Sequence, residues 1–183
     1  MRGWRRLYIC LVQNMTLDNR YRSLIKVLPA GKIVFDRESL WSFDQLHKSQ
    51  IMHVVTEAGY SADRSKSFID FHKRTVKSVM AFMGMTRYPQ RQKTQHKKIY
   101  NKIISFKSQH DGLWHPGQSI YGPIKKGQLL GAVYSPDGKK LQEVISQTSG
   151  EYLWLKTSMP CRRGEILIEI CSKGSFLNNV SVI

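Results

Sequence analysis

Met52-His53-Val54-Val55-Thr56-Glu57-Ala58-Gly59 is the stretch that decides how this chain is read. Its β-branched run predicts a buried strand over Met52 to Thr56 that gives way at Glu57-Ala58-Gly59. Gly59 is a natural place for the chain to turn. Just beyond it, Phe68, His72, Thr75/Val76, Val79 and Phe82/Met83 recur at helical spacing. Lys66, Lys73, Arg74 and Lys77 largely fill the other face, and Gly84 supplies a C-terminal stop. Strand, turn and amphipathic helix make one αβ unit, with the helix packed on a sheet. Upstream, Lys32-Ile33-Val34-Phe35 reads as a short strand after Pro29-Ala30-Gly31. Trp41 to Ile51 reads as a helix with Ser42 at its N-cap.

Downstream the texture changes twice. Arg87 to Lys107 gathers Arg87, Arg91, Lys93, Lys97, Lys98, Lys102 and Lys107, with Tyr88, Tyr100 and Phe106 among them. Aromatics among cations can bind nucleic acid by stacking and phosphate contact. A solvated linker entering a first strand, Lys98 to Phe106, is the favoured reading. From Gly112 onward, turn signals alternate with short apolar runs. The turns are His115-Pro116-Gly117, Tyr121-Gly122-Pro123, Lys126-Gly127, Ser135-Pro136-Asp137-Gly138, Ser149-Gly150 and Arg163-Gly164. The runs are Leu129 to Tyr134, Leu141 to Ile145, Tyr152 to Leu155 and Ile166 to Ile170, a spacing that predicts a small barrel or sandwich. Lys125-Lys126-Gly127-Gln128-Leu129-Leu130-Gly131 also resembles Arg162-Arg163-Gly164-Glu165-Ile166-Leu167-Ile168. That repeat has the texture of a biotinyl/lipoyl-like barrel with quasi-twofold halves. The expected organisation is a partial α/β region over 1–88, a basic linker and first strand over 89–111, and a β-domain over 112–183.

Composition narrows the function classes. The chain has 183 residues, 41% hydrophobic and 10% aromatic, enough to build a packed core. No apolar run approaches the ~18–20 residues of a membrane span, so no membrane partner is expected. The basic start Met1-Arg2-Gly3-Trp4-Arg5-Arg6 is followed by only a short apolar stretch and by Gln13-Asn14, unlike a signal peptide. A cytoplasmic location follows. Cys10, Cys161 and Cys171 are widely spaced and odd in number, which argues against a disulfide framework and a structural zinc site. The formal charge of +16 attracts anions without saying which.

Two segments together resemble the succinylglutamate desuccinylase/aspartoacylase family. The first is Val54-Val55-Thr56-Glu57-Ala58-Gly59 with the helix that ends Phe82-Met83-Gly84-Met85. The second is Gly112-Leu113-Trp114-His115-Pro116, then Ile124 to Gly131, Asp137-Gly138, Glu143-Val144 and Gly150. The resemblance runs from about Glu38 to Ile170 and rests on the order and spacing of both segments. It implies a metallocarboxypeptidase-like α/β region followed by a β-domain, and a zinc-dependent hydrolase cleaving the amide bond of N-acyl amino acids. It also implies one zinc, held by a His-x-x-Glu pair and a distant His, that polarises the carbonyl and acidifies a bound water. By the same resemblance, Glu57 is the carboxylate that takes that water's proton and passes it to the leaving amine. Its place after a buried strand would suit partial desolvation. Read from its residues alone, Glu57 is better taken as a turn or helix-entry carboxylate.

The sequence departs from the family pattern at the metal. His47, His53, His72, His96, His110 and His115 are its histidines, and none has Glu at the His-x-x-Glu offset. The expectation is a C-terminal portion that holds no zinc by itself and is catalytically silent alone. It would be completed by a zinc-bearing part, with a small anionic acyl-amino-acid substrate. The strand before Glu57 would then carry an open edge, inviting self-association or a partner chain. A second class of function is a non-catalytic binding module for nucleic acid or a protein partner, using the basic surface and the β-domain. Carrier function on Lys139 or Lys140 is not expected, because the Met-Lys-Met context is missing.

Overall fold

The computed structural model describes residues 8–13, 19–36, 51, 53–59, 65–87, 97–117 and 122–173. The helix expected from Trp41, and residues 88–96 of the basic stretch, lie outside them. The chain divides into two compact units whose boundary falls between Asn101 and Lys102.

The first unit contains β1 (Tyr8–Gln13), α1 (Asn19–Val27), β2 (Lys32–Asp36), β3 (Val55–Ala58), α2 (Lys66–Phe82) and β4 (Lys98–Tyr100). Its sheet has the order β3-β1-β2-β4. β1, β2 and β4 run parallel, and β3 runs antiparallel to β1. Helix α1 buries Leu24 and Ile25, Leu28 is buried just beyond its end, and these meet Ile33 of β2 and Phe71 of α2 in one core. Removing this apolar surface from water is the main favourable term holding the unit together.

Helix α2 starts and stops where the sequence predicts, but its packed face is rotated. Phe68, Phe71, Thr75 and Ser78 are the buried positions, while Val76 is 58% exposed. Phe71 is fully buried and His72 only half-buried, because the face turned to α1 and the sheet runs through Phe71. The buried Thr75 hydroxyl donates to the Phe71 carbonyl at 3.0 Å, which satisfies it within the helix. At the C-terminus, the Met85 N–H donates to Met80 O and the Gly84 N–H to Ala81 O, with Gly84 at φ 73°. This is a Schellman ending, and its left-handed residue explains the glycine.

Lys97, read from sequence as part of a basic patch, has a structural task. Its ammonium donates to the carbonyls of Leu28 (2.5 Å) and Ala30 (3.1 Å), just past the end of α1. A cation there meets carbonyls that lack helical partners and the negative end of the helix dipole. The strand expected over Lys98 to Phe106 divides at Asn101, and its two parts belong to different sheets.

The described residues of the second unit, Lys102–Lys173, form only strands and their connections: β5 (Lys102–Lys107), β6 (Gly112–Pro116), β7 (Pro123–Ile124), β8 (Leu129–Tyr134), β9 (Lys140–Ile145), β10 (Gly150–Leu155), β11 (Pro160–Cys161) and β12 (Ile166–Ser172). Two four-stranded sheets, β5-β12-β10-β7 and β11-β6-β8-β9, are antiparallel throughout. They share one core that includes Trp114, Leu130, Val133, Leu167, Ile168 and Ile170. The expected small all-β domain is thus present as two sheets; the biotinyl/lipoyl-like barrel is not supported, and no closed barrel is found among the described residues. The Gln142 amide of β9 bridges to the end of β5, accepting from Gln109 N (2.7 Å) and donating to Lys107 O (3.2 Å).

The weak sequence repeat extends through the whole second unit. Exchanging β5, β6, β7 and β8 with β9, β10, β11 and β12 turns the first sheet order into the second, reversed. The turns match bond for bond. Gln128 accepts from Lys125 N at 3.0 Å, and Glu165 accepts from Arg162 N at 2.9 Å. Gly127 N donates to Ser146 O at 2.8 Å, and Gly164 N donates to Ser108 O at 2.7 Å. The hydroxyls of Ser146 and Ser108 donate to Thr148 O and His110 O, each at 2.6 Å. Cys161 and Cys171 are buried free thiols in this unit.

Candidate functional site

Glu57 lies inside β3, opposite Ile9 of β1. Side chains alternate across a strand. Val54 and Ala58 pack against the core of the first unit, and Thr56 shares their side. The Thr56 hydroxyl stands 3.5 Å from His72 Nδ1 on α2. Glu57 therefore leaves by the opposite face, and it is exposed.

This corrects the expected environment. Val55 and Thr56 are half-buried rather than fully buried, and the carboxylate after them is in water. The reason is the position of β3 at the edge of its sheet among the described strands. One neighbouring strand and one packed face cannot desolvate the side chain on the other face.

The histidines do not converge on Glu57. His53 is half-buried and donates from Nδ1 to Ile51 O at 3.0 Å. His72 meets Thr56 and the edge of the Phe71 ring. His115 is exposed and stacks edge-on against Tyr134, with ring centroids 5.2 Å apart. His110 is exposed on the second unit. His47 and His96 lie outside the described residues. Among the described residues, no group of three His, Cys, Asp or Glu is placed to hold a metal ion. These residues do not fit a zinc centre. The Thr56–His72 contact escaped sequence reasoning because it joins strand to helix across the turn; the one available signal was His72 on the helix face nearest the strand.

No family model matches the chain, and no curated protein matches it. Solved structures do. The product-bound ectoine utilization protein EutE (DoeB) from Ruegeria pomeroyi aligns with TM-score 0.77 at 15% identity, over 91% of this chain and 54% of that one. A succinylglutamate desuccinylase/aspartoacylase from Rhodobacter sphaeroides aligns with TM-score 0.72 at 12% identity, over 92% and 54%. An aspartoacylase family protein from Mesorhizobium loti aligns with TM-score 0.65 at 10% identity, over 92% and 53%. The chain thus spans about half the length of the solved structures it matches, and over that half it has their fold.

Proposed function

We propose that this chain is the C-terminal portion of a zinc-dependent hydrolase that cleaves the amide bond of N-acyl amino acids or related amides. The observation that carries the reading is the fold likeness over 91% of the chain to proteins of the deacylase type. When bound, a zinc ion polarises an amide carbonyl and acidifies water. Its ligands belong to polypeptide outside the described residues. Glu57 is this chain's own contribution. Its carboxylate accepts a proton from the attacking water and returns it to the leaving nitrogen, so the amine departs neutral. Solvent access on the open face of β3 leaves that oxygen reachable by a substrate. The excess of basic residues draws in a carboxylate-bearing substrate. No described helix is long and apolar enough to cross a membrane.

The test has two arms. Purified chain dialysed against zinc is expected to retain none and to release no amino acid from N-succinylglutamate or N-acetylaspartate. Stoichiometric zinc with turnover would overturn the placement of the ligands elsewhere. In the second arm, the part of the Ruegeria pomeroyi protein that this chain does not match is fused ahead of it. Amide hydrolysis is expected to appear, and Glu57→Gln to lower it by roughly 10²–10⁴-fold. A folded, zinc-loaded fusion in which Glu57→Gln hydrolyses equally fast would remove Glu57 from the chemistry.

A further inference from the structure

The two quasi-equivalent turns of the second unit share a backbone scaffold but carry different side chains. At one turn, Ser108, Gln109, His110, Arg163 and Gly164 line an open depression of about 450 Å³. That volume suits a small molecule. At the other turn, Thr148 and Lys126 stand where His110 and Arg163 stand here.

The lining of the depression is held rigidly. Gly164 N donates to Ser108 O, and Ser108 N donates to Glu165 O at 2.9 Å. The buried Ser108 hydroxyl donates to His110 O. Arg163 N donates to Asp111 Oδ1 at 2.8 Å, and Arg162 N to Glu165 Oε2. Gln109 N is taken by Gln142. The N–H groups of Ser108, Gln109, Arg163 and Gly164 are thus taken internally, and the lining residues that carry side chains able to recognise a ligand are Arg163, His110 and Gln109. A guanidinium presents a planar fork that matches a carboxylate with two parallel hydrogen bonds. An imidazole and an amide beside it add donors, and a fixed backbone lowers the entropy cost of binding.

We propose that this depression is a binding site for a small carboxylate-bearing molecule, with Arg163 as the principal carboxylate partner and His110 and Gln109 as orienting donors. The site lies wholly within the second unit and does not depend on the role given to Glu57.

The whole chain, labelled with ¹⁵N, is titrated with succinate, with inorganic phosphate and with sodium chloride at matched ionic strength. Saturable shifts with succinate are expected at residues 108–112 and 162–165. Arg163→Ala is expected to weaken succinate binding by about tenfold or more, the loss of a charge-assisted contact. Lys126→Ala, the matched change at the quasi-equivalent turn, is expected to leave binding unchanged. Shifts spread equally over residues 125–128 would mean diffuse attraction by net charge and would overturn the site. So would tighter binding of phosphate than of succinate, or undiminished binding by a folded Arg163→Ala variant.

Discussion

Gly150→Ala tests the internal repeat and the packing of the second unit together. A Cβ added at Gly150 would lie 2.5 Å from the Cys171 carbonyl oxygen and 3.2 Å from its carbon, against ordinary contact from 3.4 Å. The oxygen cannot swing aside as a side chain would, since Cys171 pairs with Glu151 on one side and Ile103 on the other. Strand β10 must move away from β12, or the central ladder must distort. Overpacking of this kind costs about 1–3 kcal/mol, and a backbone obstacle puts the expectation at about 2–3 kcal/mol. For a unit of this size that lowers the melting midpoint by roughly 10–20 °C. Gly112→Ala should cost about as much, because its Cβ would lie 2.5 Å from the Tyr134 oxygen, the same obstacle at the equivalent place. Gly31→Ala meets nothing within 4 Å and serves as the control. Urea unfolding followed by hydrogen exchange at the Ile168 and Ile170 amides reads the second unit by itself. A Gly150→Ala chain within about 0.5 kcal/mol of the parent, the range of ordinary surface changes, would refute the close approach of β10 to β12.

Two further outcomes are expected. Phe71→Ala should destabilise the first unit by about 3–5 kcal/mol, the cost of emptying a fully buried aromatic site, while Val76→Ala stays within about 0.5 kcal/mol; the reverse order in a urea titration would put the packed face back where helical periodicity alone had it. The second concerns acid. The Glu165 carboxyl is held below its ordinary 4.5, chiefly by the hydrogen bond from Lys156 (2.5 Å) and then by Arg162 N. A carboxyl depressed in the folded state stabilises fully above 4.5, and that contribution is lost as pH falls through the folded value. Lys156→Met should therefore flatten the fall in urea midpoint on the acid side of 4.5; parallel profiles for the two proteins would count against the pair.

Local features of this molecule were legible in the sequence because local chemistry sets them. The extent of α2, its stop at Gly84, strand β2 and the turns at Gly127 and Gly164 each follow from residues within a few positions of one another. A left-handed glycine, followed by a side chain that accepts from the backbone N–H three residues before it, suffices to close such turns. The repeat of those turns even announced the two halves of the second unit. What the sequence left open depends on partners distant in the chain. Periodicity marked an apolar face on α2, but only docking against α1 and β3 chose Phe71 over His72 as its centre. Motif order singled out Glu57, yet the edge position of β3 decided that its carboxylate stands in water. Asn101 divides one apolar run between two sheets, because β4 pairs with β2 and β5 with β12. His110 and Arg163 border one depression only because Gly164 and Ser108 hydrogen-bond across the fold. Each of these is a non-local contact, whose energy depends on which surfaces meet, and a linear pattern does not encode that meeting.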